Sequence, residues 1–289
     1  MHPLIVRPTA PRDAVVALGR EPYRAAAEAT TIRRAAAGDA GEVAALLGES
    51  FRPQDLGLTI YGCAGIAAYL QMEFALPRAY ARSMYLVAAI AGRVAGYIEM
   101  RERERGPFLN YIATGRAWRG AGIARTLMAA ALREAHPPAG AEFTLDVFEH
   151  NQPALEWYRR RGFRSLGRTA FWRVPASAAA GAESAVRILD LPQADAAHRA
   201  FGFSSFRLAH GGRTFTIGRL GERWFRVTEG EVLGRAEALG ALASIDRRRE
   251  ILFCGAAEAI PADRREGCSP LLWSIHMGRS LPLVPDTPC

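Results

Sequence analysis

The reading of the chain turns on residues 114–132, TGRAWRGAGIARTLMAAAL. An apolar run, FLNYIAT (108–114), precedes it and reads as a strand. Gly115, Gly120 and Gly122 are interspersed with Arg116 and Arg119, and the sequence then becomes a helix former from about 123 to 135, with Arg125 in its first turn. HPPAG (136–140) stops that helix, because proline cannot continue it. Glycines leave room for a ligand to approach the backbone. The first turn of a helix presents unpaired amide hydrogens. Together they can hold a phosphate or pyrophosphate, with the arginines adding charge-assisted bonds. The same residues also suit an ordinary loop whose glycines only make the turn. No GK[ST] follows, so the P-loop pattern is excluded. The dinucleotide fingerprint fits poorly, since only Gly120 and Gly122 fall in the turn and Asp146 is a weak ribose candidate.

Outward from this stretch the sequence alternates strand and helix signals. TTIRRA predicts a short strand, and Asp39 a cap for a helix through Leu47. Residues 50–83 carry helical segments broken by glycine and Pro77. SMYLVAAIA (83–91) and RVAGYIEMR (93–101) predict a hairpin turning at Gly92, with RERERG (101–106) leading out to solvent. EFTLDVF (142–148) alternates as a strand. In NQPALEWYRRRGF, Asn151 is a plausible helix cap, Pro153 lies in the first turn and Gly162 ends the helix. FRSLGRTAFWRV (163–174) supplies one or two closing strands.

PASAAAGAES (175–184) is the best linker. Beyond it, VRILDL, SSFRLA, a hairpin turning near Gly221, a helical EVLGRAEALGALASI, REILFCGA and LLWSIHMG describe a second unit. The expected division is an N-terminal extension (1–30), a first unit (31–174), a linker (175–185) and a smaller α-plus-β unit (186–289). VRILDLPQADAAHRAFGF mimics an opening strand and helix, so the second unit is either a diverged copy of the first or a substrate-binding module.

Two motifs carry a family resemblance. RGAGIA, residues 119–124, resembles the Q/R-x-x-G-x-G/A acyl-CoA motif of the GNAT superfamily of N-acetyltransferases. LDVFEHNQPALEWYRRRGF (145–163) is similar to that family's L-x-V-x-x-x-N-x-x-A-x-x-x-Y-x-x-x-G-F region. The resemblance covers roughly residues 31–172. It implies an α/β (α+β) fold, an acyl-CoA N-acyltransferase-like mixed, splayed sheet flanked by helices, with acetyl-CoA (CoA) bound in the splay. It further implies that the backbone at Ile112, Ala113 and Thr114 bonds the pantetheine arm. The amides of Arg119, Gly120, Ala121, Gly122, Ile123 and Ala124 would hold the pyrophosphate. Asn151 would contact the arm or the substrate side of the cleft, Ala154 would allow close packing at the cofactor, and Tyr158 would point its hydroxyl towards the thioester sulfur.

Transfer to an amine needs the reactants held together, a neutral amine and a proton for the leaving thiolate. A phenol can donate that proton, which gives Tyr158 the acid role. Glu99 is the candidate base. Strand alternation puts it on one face with Tyr97 and Arg101, opposite Ile98 and Met100, where it could meet a polar cleft. Asn110 lies where some relatives carry an acid, and Glu149 and His150 sit just past a strand end. Phe51, Tyr61, Tyr69, Phe74 and Tyr80 could line an acceptor pocket, or belong to the core.

Composition narrows the partners. The 289 residues, 49% hydrophobic, suffice for one large domain or two small ones. No apolar run approaches the roughly 20 residues that span a bilayer. The start, MHPLIVRPTAPRDA, has prolines and an aspartate where a signal peptide needs an apolar core, so a cytoplasmic location is expected. The charge of +8 favours anionic partners, although arginine-rich usage can also reflect genome composition. No basic run is interleaved with aromatics, so a nucleic-acid partner is not expected. Cys63, Cys254, Cys268 and Cys289 lack C-x-x-C spacing, and the histidines are dispersed, so no metal site is expected. The expected partner is a small-molecule or peptidyl amine, with the chain monomeric or homodimeric. The competing reading is a catalytically weak CoA-binding sensor or interaction module.

Overall fold

A computed structural model describes residues 30–175 and 186–282. Nearly all of the expected N-terminal extension and of the linker, and Cys289, lie outside them. In chain order the first half contains β1 (Thr31–Arg34), α1 (Ala40–Ser50), the single turn α2 (Pro53–Leu56), α3 (Ile66–Ala75), β2 (Ser83–Ile90), β3 (Arg93–Arg103) and β4 (Gly106–Thr114). It continues with α4 (Ile123–Ala135), β5 (Glu142–Phe148), α5 (Gln152–Arg159) and β6 (Arg164–Val174). The second half contains β7 (Val186–Leu189), α6 (Leu191–Phe201), β8 (Phe203–His210), β9 (Arg213–Leu220), β10 (Trp224–Val227), α7 (Ala236–Ile245), β11 (Glu250–Gly255) and β12 (Ser269–Ser280).

All twelve strands join one mixed sheet in the order β1-β2-β3-β4-β5-β12-β6-β11-β10-β9-β8-β7. From either edge the order is the same: five strands, then the closing strand of the other half, then the half's own. The pairs β4·β5 and β10·β11 are parallel, and the other neighbours are antiparallel. The halves therefore do not build separate sheets. β12, the last strand, is inserted between β5 and β6. This exchange satisfies backbone groups that an edge strand would leave unpaired, and it leaves β1 and β7 as the edges of the described sheet.

Helices cover both faces of the first half, which explains the near-continuous apolar run of β2. Leu86, Ala88 and Ile90 join the cluster under α4 and α5. Tyr85 and Val87 join the one under α1 and α3. The β2–β3 turn uses Ala91 and Gly92, both at positive φ. β3 runs two residues further than the sequence suggests, to Arg103, and RERERG forms the next turn rather than an excursion. α4 buries Ile123, Leu127, Met128 and Ala131, a helical stripe. It sits close to β3 because Gly96 has no side chain: a Cβ there would lie 2.6 Å from Ile123 Cγ2. His136, left-handed at φ 46°, ends α4 ahead of Pro137 and Pro138.

Asp39 does not cap α1 with its side chain. Its carboxylate instead accepts the Ala36 N–H at 2.7 Å and pairs with Arg33 at 2.6 and 2.8 Å, which fixes the turn before the helix. The halves meet through aromatic edges, with Tyr69 of α3 against Phe201 of α6 (5.6 Å) and Phe203 of β8 (4.9 Å). No helix among the described residues is long and apolar enough to cross a membrane.

Candidate active site

The site begins as an irregularity in β4. Glu99 of β3 is opposite Tyr111, but the next residue, Met100, is opposite Leu109. Asn110 is thus the extra residue of a β-bulge, which bends the strand and interrupts its ladder. β4 is in register with β5 at Phe108–Thr144 and Leu109–Leu145. Beyond the bulge the two strands part. A cavity of about 1300 Å³ opens there, bounded by residues from both faces of the sheet and from both halves of the chain.

On one side the cavity meets the glycine loop. Gly120 and Gly122 hold φ of 84° and 80°, a region that L side chains rarely adopt. A Cβ at Gly120 would meet nothing within 4 Å, so the backbone is open to a ligand. Gly122 is the N-cap of α4 and offers no capping side chain, and the first turn carries no acid. Its amides and the positive end of the helix dipole therefore face the cavity uncompensated. Arg119, Arg125 and Arg161 line the same end. Burial, together with the neighbouring positive charges of Arg125, Arg160 and Arg279, holds the Arg161 guanidinium below its usual pKa. An anion would relieve that repulsion. Thr114 Oγ1 is buried in the wall with no hydrogen-bond partner. These features fit a phosphorylated cofactor with a polar arm.

Ile112, Ala113, Thr114, residues 119–124, Asn151 and Ala154 all lie on this one cavity, as does Tyr158. Asn151 caps α5, its side-chain oxygen accepting the Ala154 N–H at 3.3 Å. Tyr158 is buried against Trp157 and Phe163, and burial pushes its phenol well above the ordinary value.

Glu99 does not face the cleft. It is 1% exposed and lies behind the wall formed by Tyr61, Tyr111 and Arg101. Arg101 donates to it at 2.9 Å, Ser83 at 3.2 Å, and the Tyr61 hydroxyl also donates to it. Strand alternation gave the face correctly but not what covers that face. The cover is residues 57–62, whose Tyr61 ring packs on Tyr111 at 4.1 Å. Glu149 and His150 lie off the cavity. Glu149 pairs with Arg168, and His150 with Asp55. Of the candidate pocket aromatics, Phe51 and Tyr61 line the cavity, Tyr69 and Phe74 pack in the core, and Tyr80 is exposed. The second half adds residues that spacing along the chain did not reveal. Arg226 of β10, Thr228 and Cys254 of β11 form the far wall, beside Phe171 of β6.

Residues 57–163 match the sequence model of the acetyltransferase (GNAT) family. This part of the chain is similar in sequence to that family. Solved structures extend the likeness of fold to both halves. A GCN5-related N-acetyltransferase from Sphaerobacter thermophilus superposes with a TM-score of 0.57 at 15% identity, covering 88% of this chain and 96% of the other. A tandem GNAT protein from the clavulanic acid biosynthesis pathway gives 0.60 at 14% identity, covering 87% and 98%. No curated protein is significantly similar in sequence. The GNAT fold accounts for the splayed β4–β5 pair, and the second half repeats its strand order from the opposite edge.

Proposed function

We propose that the chain is an N-acetyltransferase that moves the acetyl group of acetyl-CoA to a primary amine of a small molecule or peptide. The observation that carries this is the continuity of one cavity from the open amides at Gly120 and Gly122, past Tyr158, to the aromatic wall around Tyr61. The backbone of residues 119–124, with Arg125 and Arg161, would hold the pyrophosphate, and the β4 backbone from Ile112 to Thr114 the pantetheine arm. When bound, the cofactor supplies an acetyl thioester and a thiol leaving group. We further propose that the second half is a diverged copy of the first that has kept the fold.

Holding amine and thioester in one desolvated cleft supplies most of the acceleration. The bulge takes Asn110 out of the β3–β4 ladder, so its backbone N–H would be available to donate a hydrogen bond where negative charge develops. Tyr158 acts as the acid. Its burial keeps the phenol protonated at neutral pH, so a proton is available there for the leaving thiolate. Glu99 acts as the base at one remove. An amine proton passes to the Tyr61 oxygen as the Tyr61 proton passes to the Glu99 carboxylate, to which it is already hydrogen-bonded. Calorimetry with CoA and thiol release from acetyl-CoA across an amine panel test the reading. Turnover with at least one primary amine is expected. Tight CoA binding with no turnover on any amine would replace it with the sensor reading.

A further inference from the structure

We infer that the acceptor amine also carries a carboxylate, and that Arg226 of the second half holds it. The inference rests on the acetyltransferase reading and concerns the end of the cavity away from the glycine loop.

Charge around the cavity is unevenly distributed. The lining contains Arg101, Arg119, Arg125, Arg161 and Arg226 against a single carboxylate, Asp146. Asp146 is engaged by His276 Nδ1 at 2.8 Å. Arg101 is engaged by Glu99. Arg119, Arg125 and Arg161 cluster at the glycine loop, where the phosphates of the cofactor belong. Arg226 stands apart from all of these, on β10, beside Tyr111 and the buried thiol of Cys254. Strand alternation sets it on the same side of the sheet as Trp224. Its cross-strand neighbour on β9, Gly218, has no side chain to offer it. Among the described residues no carboxylate pairs with it, and its Nε is buried without a hydrogen-bond partner.

A partly buried guanidinium without a counter-ion is costly, and proteins rarely keep one without an occupant to match it. Its planar fork suits a carboxylate bound through two parallel hydrogen bonds. A diamine or polyamine acceptor fits badly, because its second ammonium would face Arg226 with no free carboxylate to receive it. Phe51, Tyr61, Tyr111, Phe148 and Phe171 surround the space between Arg226 and the splay. They suit an apolar or aromatic body. The implied acceptor class is an amino acid or close relative with an apolar side chain. The acceptor site is then composite, with the reacting groups in the first half and the anchor in the second.

The test uses the full chain saturated with CoA. Calorimetry measures binding of N-acetylated α-amino acids with phenyl, indole and isobutyl side chains, each against its decarboxylated counterpart. At least one carboxylate-bearing probe is expected to bind roughly 10- to 100-fold more tightly than its counterpart, the range of a charged hydrogen-bond pair. Arg226→Gln removes that gap, Arg226→Lys restores part of it, and both leave CoA affinity unchanged without lowering the melting temperature. A gap that survives Arg226→Gln, or no gap across the series, overturns the inference. Thiol release with the free amines separates the two readings. An Arg226-dependent gap without turnover keeps the anchor and sinks acetyl transfer. Turnover that ignores the carboxylate keeps acetyl transfer and sinks the anchor.

Discussion

The loop after β4 and the loop after β10 occupy matching places in the palindromic sheet, yet one is open and basic and the other closed and acidic. After β4 the chain makes a 3-10 turn, Arg116–Trp118, that buries nothing, then two glycines at positive φ and a bare helix mouth. After β10 the 3-10 turn Gly230–Gly234 buries Val232 and Leu233 completely. Glu229 and Glu231 replace the arginines, and Glu231 pairs with Arg213 and Arg235. The structures opposite differ too. Beyond β5 stands α5 with Asn151, Ala154 and Tyr158, whereas beyond β11 come 3-10 turns, Ala257–Ala259 and Ala262–Arg264. A Cβ at Gly230 would lie 2.1 Å from the Ala259 carbonyl oxygen, so the second half has packed its cleft shut with backbone. Fold alone therefore does not decide whether such a loop is open to an anion; clearance, sign of charge and the element across the gap decide it.

Tyr158 has no counterpart beyond β11, and its replacement should give the largest effect. Tyr158→Phe is expected to lower kcat by roughly 10²- to 10⁴-fold with CoA affinity unchanged, read by steady-state kinetics and calorimetry. Equal turnover would remove the acid role.

The two loops should separate binding from stability. Gly122→Val places a β-branched residue in the left-handed region at about 1–2 kcal/mol, and its side chain competes with the cofactor. CoA affinity should fall at least about tenfold because that side chain occupies space the cofactor needs at the loop amides, while the backbone strain lowers stability in the free and bound protein alike. Gly230→Ala should cost about 1–3 kcal/mol of overpacking against Ala259, seen in urea unfolding, with CoA affinity unchanged. If Gly230→Ala weakens CoA binding, the second loop is part of the site and the comparison fails.

Charge gives a smaller contrast. Raising salt should weaken CoA binding through Arg119 and Arg125, while the melting temperature moves little.

The smallest effect concerns the aspartates that open each half. Asp39, bonded to Arg33 and the Ala36 N–H, has its carboxyl held below the usual range. A carboxyl depressed by folding contributes stability above its unfolded pKa and loses it as pH falls through the folded one. Asp39→Asn should cost about 1 kcal/mol at neutral pH, since Arg33 is half in solvent, and the difference should fade below about pH 4. Asp190 forms an exposed pair with Arg207, and Asp190→Asn should leave the unfolding midpoint where it is.

The parts of the site that could be read from sequence were local. Strand, glycine loop and helix follow one another within residues 108–135, and the partner helix from Asn151 to Tyr158 is similarly self-contained, so patterns of small, charged and apolar residues specified them. Glu99 shows where such reading stops. Period-two alternation gave its face, but Tyr61, 38 residues away, arrives through tertiary packing and covers the carboxylate that the sequence let face a cleft. Arg226 gave no signal at all, since nothing in RWFRV tells a cavity arginine from a surface one.

By itself the sequence determined where most helices and strands lie and which loop is open, glycine-rich and basic. These depend on capping, periodicity and glycine, which act over a few residues. Tertiary structure decided that β12 enters the first half, that the cavity has a wall from each half, and that the second loop is closed. These depend on pairings between strands more than 100 residues apart, such as Ile275 with Val147, whose free energy is set by register and burial rather than by local preference.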